Sequence, residues 1–312
     1  MTRVFIDGSA GTTGLRIWER LAQRRDLELL SIPEQFRKDE SARRDYLNRA
    51  EVAFLCLPDG AAMEAAAMVE NPETVVIDTS TAHRTAPGWV YGFPELTGQR
   101  EKLRKAKRIA NPGCHASGFI ALVAPLVEKG LLSPEATLSA FSLTGFSGGG
   151  KKMIGDYEAN PQALAAPRLY GLGQTHKHLP EMKKLCGLEK EPIFCPIVSS
   201  YYSGMEVVVP LSASQLGASP EDIARLYESY YPGPMVRYRR GADEAGFLSA
   251  ASRAGLDDME ISVFGNEERL TLVCRFDNLG KGASGAAIQN MNLVLGLAED
   301  TGLNIGGSHE ID

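Results

Sequence analysis

No apolar run in this chain reaches the roughly 20 residues that a membrane-spanning helix requires. The N-terminus passes straight into a strand pattern, without the basic stretch and apolar core of a secretory signal. Cysteine is sparse: Cys56, Cys114, Cys186, Cys195 and Cys274 form an odd set with no CxxC pair and no ligand cluster. That argues against a disulfide framework or a structural zinc site and for a reducing compartment, so a cytoplasmic protein is expected. Positive charge is not in excess either. The net charge of −6 gives no support to a nucleic-acid or membrane partner, and the basic segment Lys102 to Arg108 reads most simply as solvated surface. Internal repeats and low-complexity segments are missing. What remains is an ordinary soluble composition, 23% charged and 44% hydrophobic, in 312 residues, a length that favours two domains.

The first half alternates strands and helices. Arg3 to Asp7 reads as a strand, followed by Gly8-Ser-Ala-Gly-Thr-Thr-Gly14 and an amphipathic run through Leu15, Ile17, Trp18 and Leu21. Glycines at 8, 11 and 14 permit a tight turn, close approach to a pyrophosphate and close packing of helix on strand, with the helix N-terminus facing the phosphate charge. The spacing is GxxGxxG, one residue off GxGxxG, and a plain tight turn would use the same residues. Position after the first strand of an α/β repeat favours the dinucleotide. The repeat continues as a strand from Leu27 to Ile32, a helix from Glu40 to Arg49, a strand from Val52 to Leu57, a helix from Asp59 to Val69 and a strand from Val75 to Asp78. This is the pattern of a Rossmann-like, doubly wound parallel sheet, whose ligands bind beyond the carboxyl ends of the strands. Gly8, Leu57, Pro58, Ser80 and Cys114 lie at or next to such ends. At the end of the second strand, Ser31 with Arg37 and Lys38 leans toward NADP over NAD, although Glu34 sits among them. Each of the two cations also suits a solvated helix approach.

Asn111-Pro-Gly-Cys-His-Ala-Ser-Gly118 separates a strand, Arg108 to Ala110, from a helix, Phe119 to Lys129. Cys114 falls where that helix begins, and unpaired N–H groups and the helix dipole favour an anion there. An ordinary buried thiol fits the turn equally well.

Beyond Lys129 the pattern changes. Thr137 to Phe141 reads as a strand, and Thr144-Gly-Phe-Ser-Gly-Gly-Gly-Lys151 as a glycine-dense loop able to present backbone N–H groups to an anion. Strands are expected at Ile193 to Tyr202, Met205 to Leu211, Met235 to Arg239, Glu260 to Phe264 and Leu270 to Phe276, with a helix from Pro220 to Tyr231 and a turn at Gly265-Asn266. These imply an α+β domain with a mostly antiparallel sheet. Gly280 to Asn290, rich in small residues, leads into a helix from Met291 to Leu297.

A thiol nucleophile needs a group that moves protons near neutral pH. His176-Lys-His178, followed by Pro180 and Glu181, offers two imidazoles that an extended segment would place on one face. Such a pair also suits a metal or a plain surface loop, but no third ligand lies near in sequence, so acid/base service ranks above metal binding. A nucleotide fold, a cysteine at a strand-to-helix turn and a histidine in a second domain together describe an oxidoreductase working through an acyl thioester.

At this point the chain resembles the N-acetyl-γ-glutamyl-phosphate reductases of arginine biosynthesis, and more closely their shorter type. The resemblance rests on Gly8 to Gly14, Val76-Ile-Asp-Thr-Ser-Thr-Ala-His-Arg84, Asn111-Pro-Gly-Cys114, Gly145-Phe-Ser-Gly-Gly-Gly-Lys151, His176-Lys-His-Leu-Pro-Glu181 and Asp277-Asn-Leu-Gly-Lys-Gly-Ala-Ser-Gly285. These occur in the family's order and span almost the whole chain. The resemblance implies NADPH-dependent reduction of N-acetyl-γ-glutamyl phosphate to the semialdehyde, with Cys114 as nucleophile, His178 as acid/base and His176 close to the substrate. It implies NADP(H) contacts at Gly8, Gly11, Thr12, Thr13, Gly14, Ser80, Asn278, Lys281, Gly282 and Gly285, and a substrate site shaped by Arg84, Asn111, Ser147, Gly148, Tyr170 and Glu181. It further implies an NADP-binding domain over 1–114, completed by a C-terminal helix at 283–312, a catalytic and oligomerisation domain over 115–282, and a homodimer or homotetramer acting on a small acyl phosphate.

Two departures stand out. His115-Ala-Ser117 replaces the common Tyr-Pro-Thr, and Thr144 replaces a common serine. Neighbouring helical residues point in different directions, so His115 is expected to be structural or a substrate-rim group and not the base. Competing readings are aspartate-semialdehyde dehydrogenase, the adipate-length analogue of lysine synthesis, and a catalytically idle dinucleotide-binding regulator, because chain-length preference depends on pocket shape.

Overall fold

A computed structural model of the chain describes residues 1–306, and among them two compact units form. The first comprises Met1–Gly113 and Ala283–Leu303, the second Cys114–Gly282 with residues from Asn304.

In the first unit the elements run β1 (Thr2–Asp7), α1 (Thr12–Leu21), β2 (Leu27–Leu30), α2 (Glu40–Arg49), β3 (Val52–Leu55), α3 (Asp59–Ala67), β4 (Val75–Asp78), β5 (Val90–Tyr91), α4 (Gln99–Arg104) and β6 (Arg108–Ala110). The six strands stand in the order β2-β1-β3-β4-β6-β5 and every pairing is parallel. Side-chain alternation sends Val4, Ile6, Phe54 and Ile77 to one face, where they pack with Ile17 and Leu21 of α1. Phe5, Ala53, Leu55 and Val76 go to the other, against Leu47 of α2 and Ala65 of α3. Both faces are covered, which is why these strands read as continuous apolar runs. Each large side chain so buried contributes about 1.5–3 kcal/mol. Because β1 lies between β2 and β3, the chain turns back on opposite sides of it, and the strand ends there open a crevice. Sequence periodicity passed over β5 and α4, which are too short to display a period.

The second unit is built around α5 (Cys114–Glu128), whose residues from His115 to Leu126 are all buried. The helix expected from Phe119 therefore starts five residues earlier, because the small residues Ala116, Ser117 and Gly118 are helical packing surface and not turn. Pro125 cannot donate to the Ala121 carbonyl one turn back. The Tyr231 hydroxyl donates to it instead at 2.8 Å, and Tyr227 likewise bonds the Leu122 carbonyl. Then follow β7 (Ser139–Gly145), α6 (Gly150–Ala159), β8 (Arg168–Leu169), α7 (Leu179–Cys186), β9 (Ile193–Ser199), β10 (Met205–Ser212), α8 (Pro220–Tyr230), β11 (Val236–Tyr238), β12 (Met259–Gly265) and β13 (Arg269–Phe276). The seven strands run β11-β12-β13-β10-β7-β9-β8, with only β11–β12 and β7–β9 parallel. Helix α5 packs on β10, β13, α7 and α8.

Two expectations are corrected. The glycine-dense 144–151 segment is not an open loop: Thr144 and Gly145 end β7, Phe146–Gly149 make a 3-10 turn and α6 begins at Gly150. The Phe146 ring stacks on Tyr157 of α6, 4.7 Å between centroids, and anchors the turn to the helix. The C-terminal helix expected across 283–312 is shorter. After a π-helical turn, Gly280–Ser284, α9 spans Gly285–Val294 and ends before Gly296 at φ +71°. It lies in the first unit, against α1, α4 and β4, with Ala287, Ile288 and Met291 in the core. The part of that expectation beyond residue 306 lies outside the described residues.

Candidate active site

At the carboxyl end of β1 the chain turns at Gly8, φ +88°, where a Cβ would come within 2.3 Å of the Cys56 carbonyl oxygen. A Cβ on Gly14 would come within 2.4 Å of the Gly8 carbonyl oxygen. Only glycine allows this turn to lie so close to both α1 and β3. Helix α1 opens at Gly11 with no capping side chain, at the level of Thr12 and Thr13. Beside it a cleft of about 300 Å³ is lined by Gly8, Ser31, Arg37, Lys38 and Leu57. Thus five of the residues expected at a cofactor share one cleft, whereas Gly11, Thr12, Thr13, Gly14, Pro58 and Ser80 do not line it. Arg37 is paired with Glu34 at 3.1 Å on an exposed turn. The same cleft holds Arg43, which the sequence reading passed over as one charge on a charged helix. Its guanidinium meets Asp7 at 2.8 Å.

Ser80 and His83 both bond Asp78, at 2.7 and 2.6 Å, and His83 stacks on Trp89 with 3.9 Å between ring centroids. Arg84 follows, with Nε donating to the Asn111 carbonyl at 3.0 Å and Nη2 to the Thr79 carbonyl at 3.3 Å. Asn111 itself is 1% exposed, and its amide donates to the Ala283 carbonyl at 3.0 Å. Gly285 is the buried first residue of α9.

In the second unit, Cys114 is the first residue of α5 and partly exposed. Gly282 passes beside it, since a Cβ there would lie 3.0 Å from the Cys114 Cβ. His115, one residue on, is buried at 3% exposure. Its Nδ1 is 2.6 Å from Ser142 Oγ and its Nε2 2.7 Å from Tyr170 Oη. The ring also packs against His176, His178 and Phe194, with centroids 5.5, 5.6 and 5.2 Å away. Burial, with His176 and Lys177 adding repulsion, pushes its pKa down to about 3. His115 is therefore an enclosed structural group and not a rim residue.

His176 and His178 do not sit in an extended segment. They form the turn that enters α7, with the His178 N–H donating to His176 Nδ1 at 3.2 Å and the two rings perpendicular. Pro180 in the first turn and Gly187 at φ +68° just after the end mark α7 in the sequence, but eight residues show too little periodicity. His178 is 4.0 Å from Glu181, one turn along, and both are buried. Tyr170 follows β8; burial raises its pKa, and the charge of Cys114 adds to the shift. A chain of contacts thus runs from Tyr170 through His115, the residue after Cys114, to His176 and His178. Ser147 accepts from Asn278 at 3.0 Å, the Asn278 oxygen accepts from the Gly204 N–H at 3.0 Å, and Gly148 lies beside both Thr144 and Asn278. Lys281 has no exposed surface. Among the described residues, no group of three or more His, Cys, Asp or Glu could hold a metal ion, and no helix is long and apolar enough to cross a membrane.

Ser142 and Phe194 were missed because they lie on the inward face of β7 and β9 and carry no motif. Ser142 is a polar residue in an inward-facing strand position, and that was the available signal.

Comparison with known proteins adds identity to this geometry. Residues 32–106 match the family model described as semialdehyde dehydrogenase, NAD binding domain, and residues 114–278 the model described as semialdehyde dehydrogenase, dimerisation domain. A curated relative from Brucella suis named N-acetyl-γ-glutamyl-phosphate reductase is 47% identical over 306 residues, covering 94% of this chain and 99% of that protein. In fold the chain is similar to aspartate semialdehyde dehydrogenase II of Vibrio cholerae complexed with ASA, with TM-score 0.73, 18% identity and 95% and 98% of the two chains covered. It is also similar to aspartate semialdehyde dehydrogenase of Candida albicans with NADP, with TM-score 0.68, 15% identity and coverage of 95% and 98%. A nicotinamide-dinucleotide domain, a dimerisation domain and near half identity across almost the full length place the chain among the oxidoreductases of one family: it belongs to the N-acetyl-γ-glutamyl-phosphate reductases of the semialdehyde dehydrogenase family.

Proposed function

We propose that this chain reduces N-acetyl-γ-glutamyl phosphate to N-acetylglutamate 5-semialdehyde and phosphate, using NADPH, through a thioester on Cys114. The observation that carries the reading is Cys114 at the first position of a buried helix, followed directly by His115, whose contacts lead to Tyr170 and to His178 and Glu181.

The Cys114 sulfur adds to the acyl carbon, the carbon–oxygen bond to phosphate breaks, and the N–H groups at the start of α5 face the oxyanion. His178 takes the thiol proton and, as imidazolium held by Glu181, steadies the oxygen of the thiohemiacetal until the carbon–sulfur bond breaks and the aldehyde leaves. Overall one proton is consumed and departs with phosphate. His176, Tyr170, Ser147 and Gly148 line the substrate. Asn111 and Lys281 are enclosed, as Ser147 is.

A dinucleotide fits the first unit because the turn at Gly8 and Gly14 has no room for side chains and adjoins the cleft. Gly8 to Gly14, Leu57, Pro58 and Ser80 would hold it, with Ser31, Arg37, Lys38 and Arg43 favouring NADP over NAD through a 2′-phosphate. Bound NADPH supplies the hydride. Gly285, the first residue of α9 in the same unit, belongs to the same proposal.

The family's dimerisation domain makes the chain a component of an oligomer, and we extend this to a homodimer or homotetramer. Support comes from the outer face of the seven-stranded sheet, where Phe141 lies opposite Cys195 and Val208, and Leu143 opposite Ile197, all at least partly open. Five free thiols suit a cytoplasmic location.

The test is the reverse reaction with N-acetylglutamate semialdehyde, phosphate and NADP, followed by NADPH absorbance. Turnover is expected. Silence with this aldehyde, coupled with rapid use of aspartate semialdehyde, would reject the reading.

A further inference from the structure

One imidazole and two hydroxyls form a short line inside the second unit. Ser142 has no exposed surface, His115 is 3% exposed and Tyr170 is partly open. The contacts of 2.6 Å to Ser142 and 2.7 Å to Tyr170 are both hydrogen bonds, and each takes one proton. The ring is neutral, so it carries a single N–H and must donate on one side and accept on the other. Among the described residues neither hydroxyl has another hydrogen-bond partner.

Two arrangements satisfy the ring. If Nδ1–H donated to Ser142, the serine proton would be buried with no acceptor, an unfavourable state by about 1–3 kcal/mol. If Ser142 donates to Nδ1 and Nε2–H donates to the Tyr170 oxygen, every buried proton is used. The Tyr170 proton is then the one left over, on the residue with access to the surface. Burial and the nearby charge of Cys114 keep that phenol protonated.

We propose that Ser142 and His115 are positioning residues that hold His115 in its Nε2–H tautomer, and that this turns the Tyr170 O–H outward as a hydrogen-bond donor to the carbonyl oxygen of the substrate attacked by Cys114. The proposal rests on the thioester reading above. No proton is transferred: Tyr170 keeps its hydrogen and strengthens its bond as negative charge gathers on the carbonyl oxygen. It also gives a task to the histidine that follows the nucleophile, which reaches the reacting group only through Tyr170.

The tautomer is read directly from ring nitrogen shifts in enzyme labelled with ¹⁵N-histidine, the His115 signals being assigned by their loss in His115→Gln. A neutral Nε2–H ring between pH 6 and 8 is expected, with the bias lost in Ser142→Ala. An Nδ1–H ring or an imidazolium in the wild type overturns the proposal whatever the activity. In the reverse reaction, Tyr170→Phe should lower kcat about 100-fold and Ser142→Ala about 10-fold, with KM for NADP unchanged and Ser142→Thr near wild type. Full kcat in Tyr170→Phe would remove the donor role. Failure of the thioester reading shows itself separately, as wild-type enzyme inactive toward the acetylated aldehyde.

Discussion

Cys114 and His115 are neighbours in sequence with opposite surroundings, one partly open at a helix start and the other enclosed among aromatic rings. Cys114→Ala should abolish turnover yet still bind NADP by calorimetry, and appreciable residual turnover would contradict a thioester. His178→Asn should slow the reaction more than His115→Asn, since His178 exchanges protons with reacting atoms in this reading; the reverse order in steady-state assays would reassign the base. The buried ring also ties stability to pH. His115 titrates near 3 in the native state and near 6.5 when unfolded, so between these values the unfolded chain holds the extra proton. Its contribution is intact above about pH 6.5 and declines as pH falls toward 3, by up to about 1.4 kcal/mol per pH unit. Urea unfolding from pH 4.5 to 7 should show a shallower slope for His115→Gln, and an unchanged slope would mean that this ring charges in the folded protein. Cys114 was readable as a candidate from its turn, because a thiol before a helix is a local signal. The surroundings of His115 were not, since Ser142, Tyr170 and Phe194 come from three distant segments.

Among the elements, α5 carries the most. Its apolar residues reveal a buried helix, but its true start at Cys114 depends on small residues that read locally as a turn. Proline in its last turn would leave the Ala121 carbonyl unsatisfied without Tyr231. Tyr231→Phe should therefore destabilise the protein by about 1–3 kcal/mol, read from denaturant midpoints at constant slope, and no change would show that water replaces the hydroxyl. The strands and helices of the first unit were legible almost residue by residue, as α2 and β4 illustrate, because apolar alternation and turn residues act over a few positions. Helices α6 and α7 were not, the first because its glycines favour a loop locally and are overruled by the Phe146–Tyr157 stack.

For the whole molecule the open side of the seven-stranded sheet is the feature with a consequence in solution. Ile197 stands opposite Leu143 on that face, and a charge there would face apolar surface across an interface. Ile197→Glu should shift the oligomer toward monomer in light scattering, whereas an unchanged mass would place the interface elsewhere. The amino-acid sequence by itself determined the two fold classes, the glycine turn and a candidate thiol at the head of a helix, since each is written in short-range pattern and chemistry. Tertiary structure alone decided that Arg43 joins the cleft at the end of β1, that Asn111 and Lys281 are enclosed, and that His115 is tied to Ser142 and Tyr170. Those outcomes depend on which distant residues meet and how much water they exclude, and no local spacing encodes either.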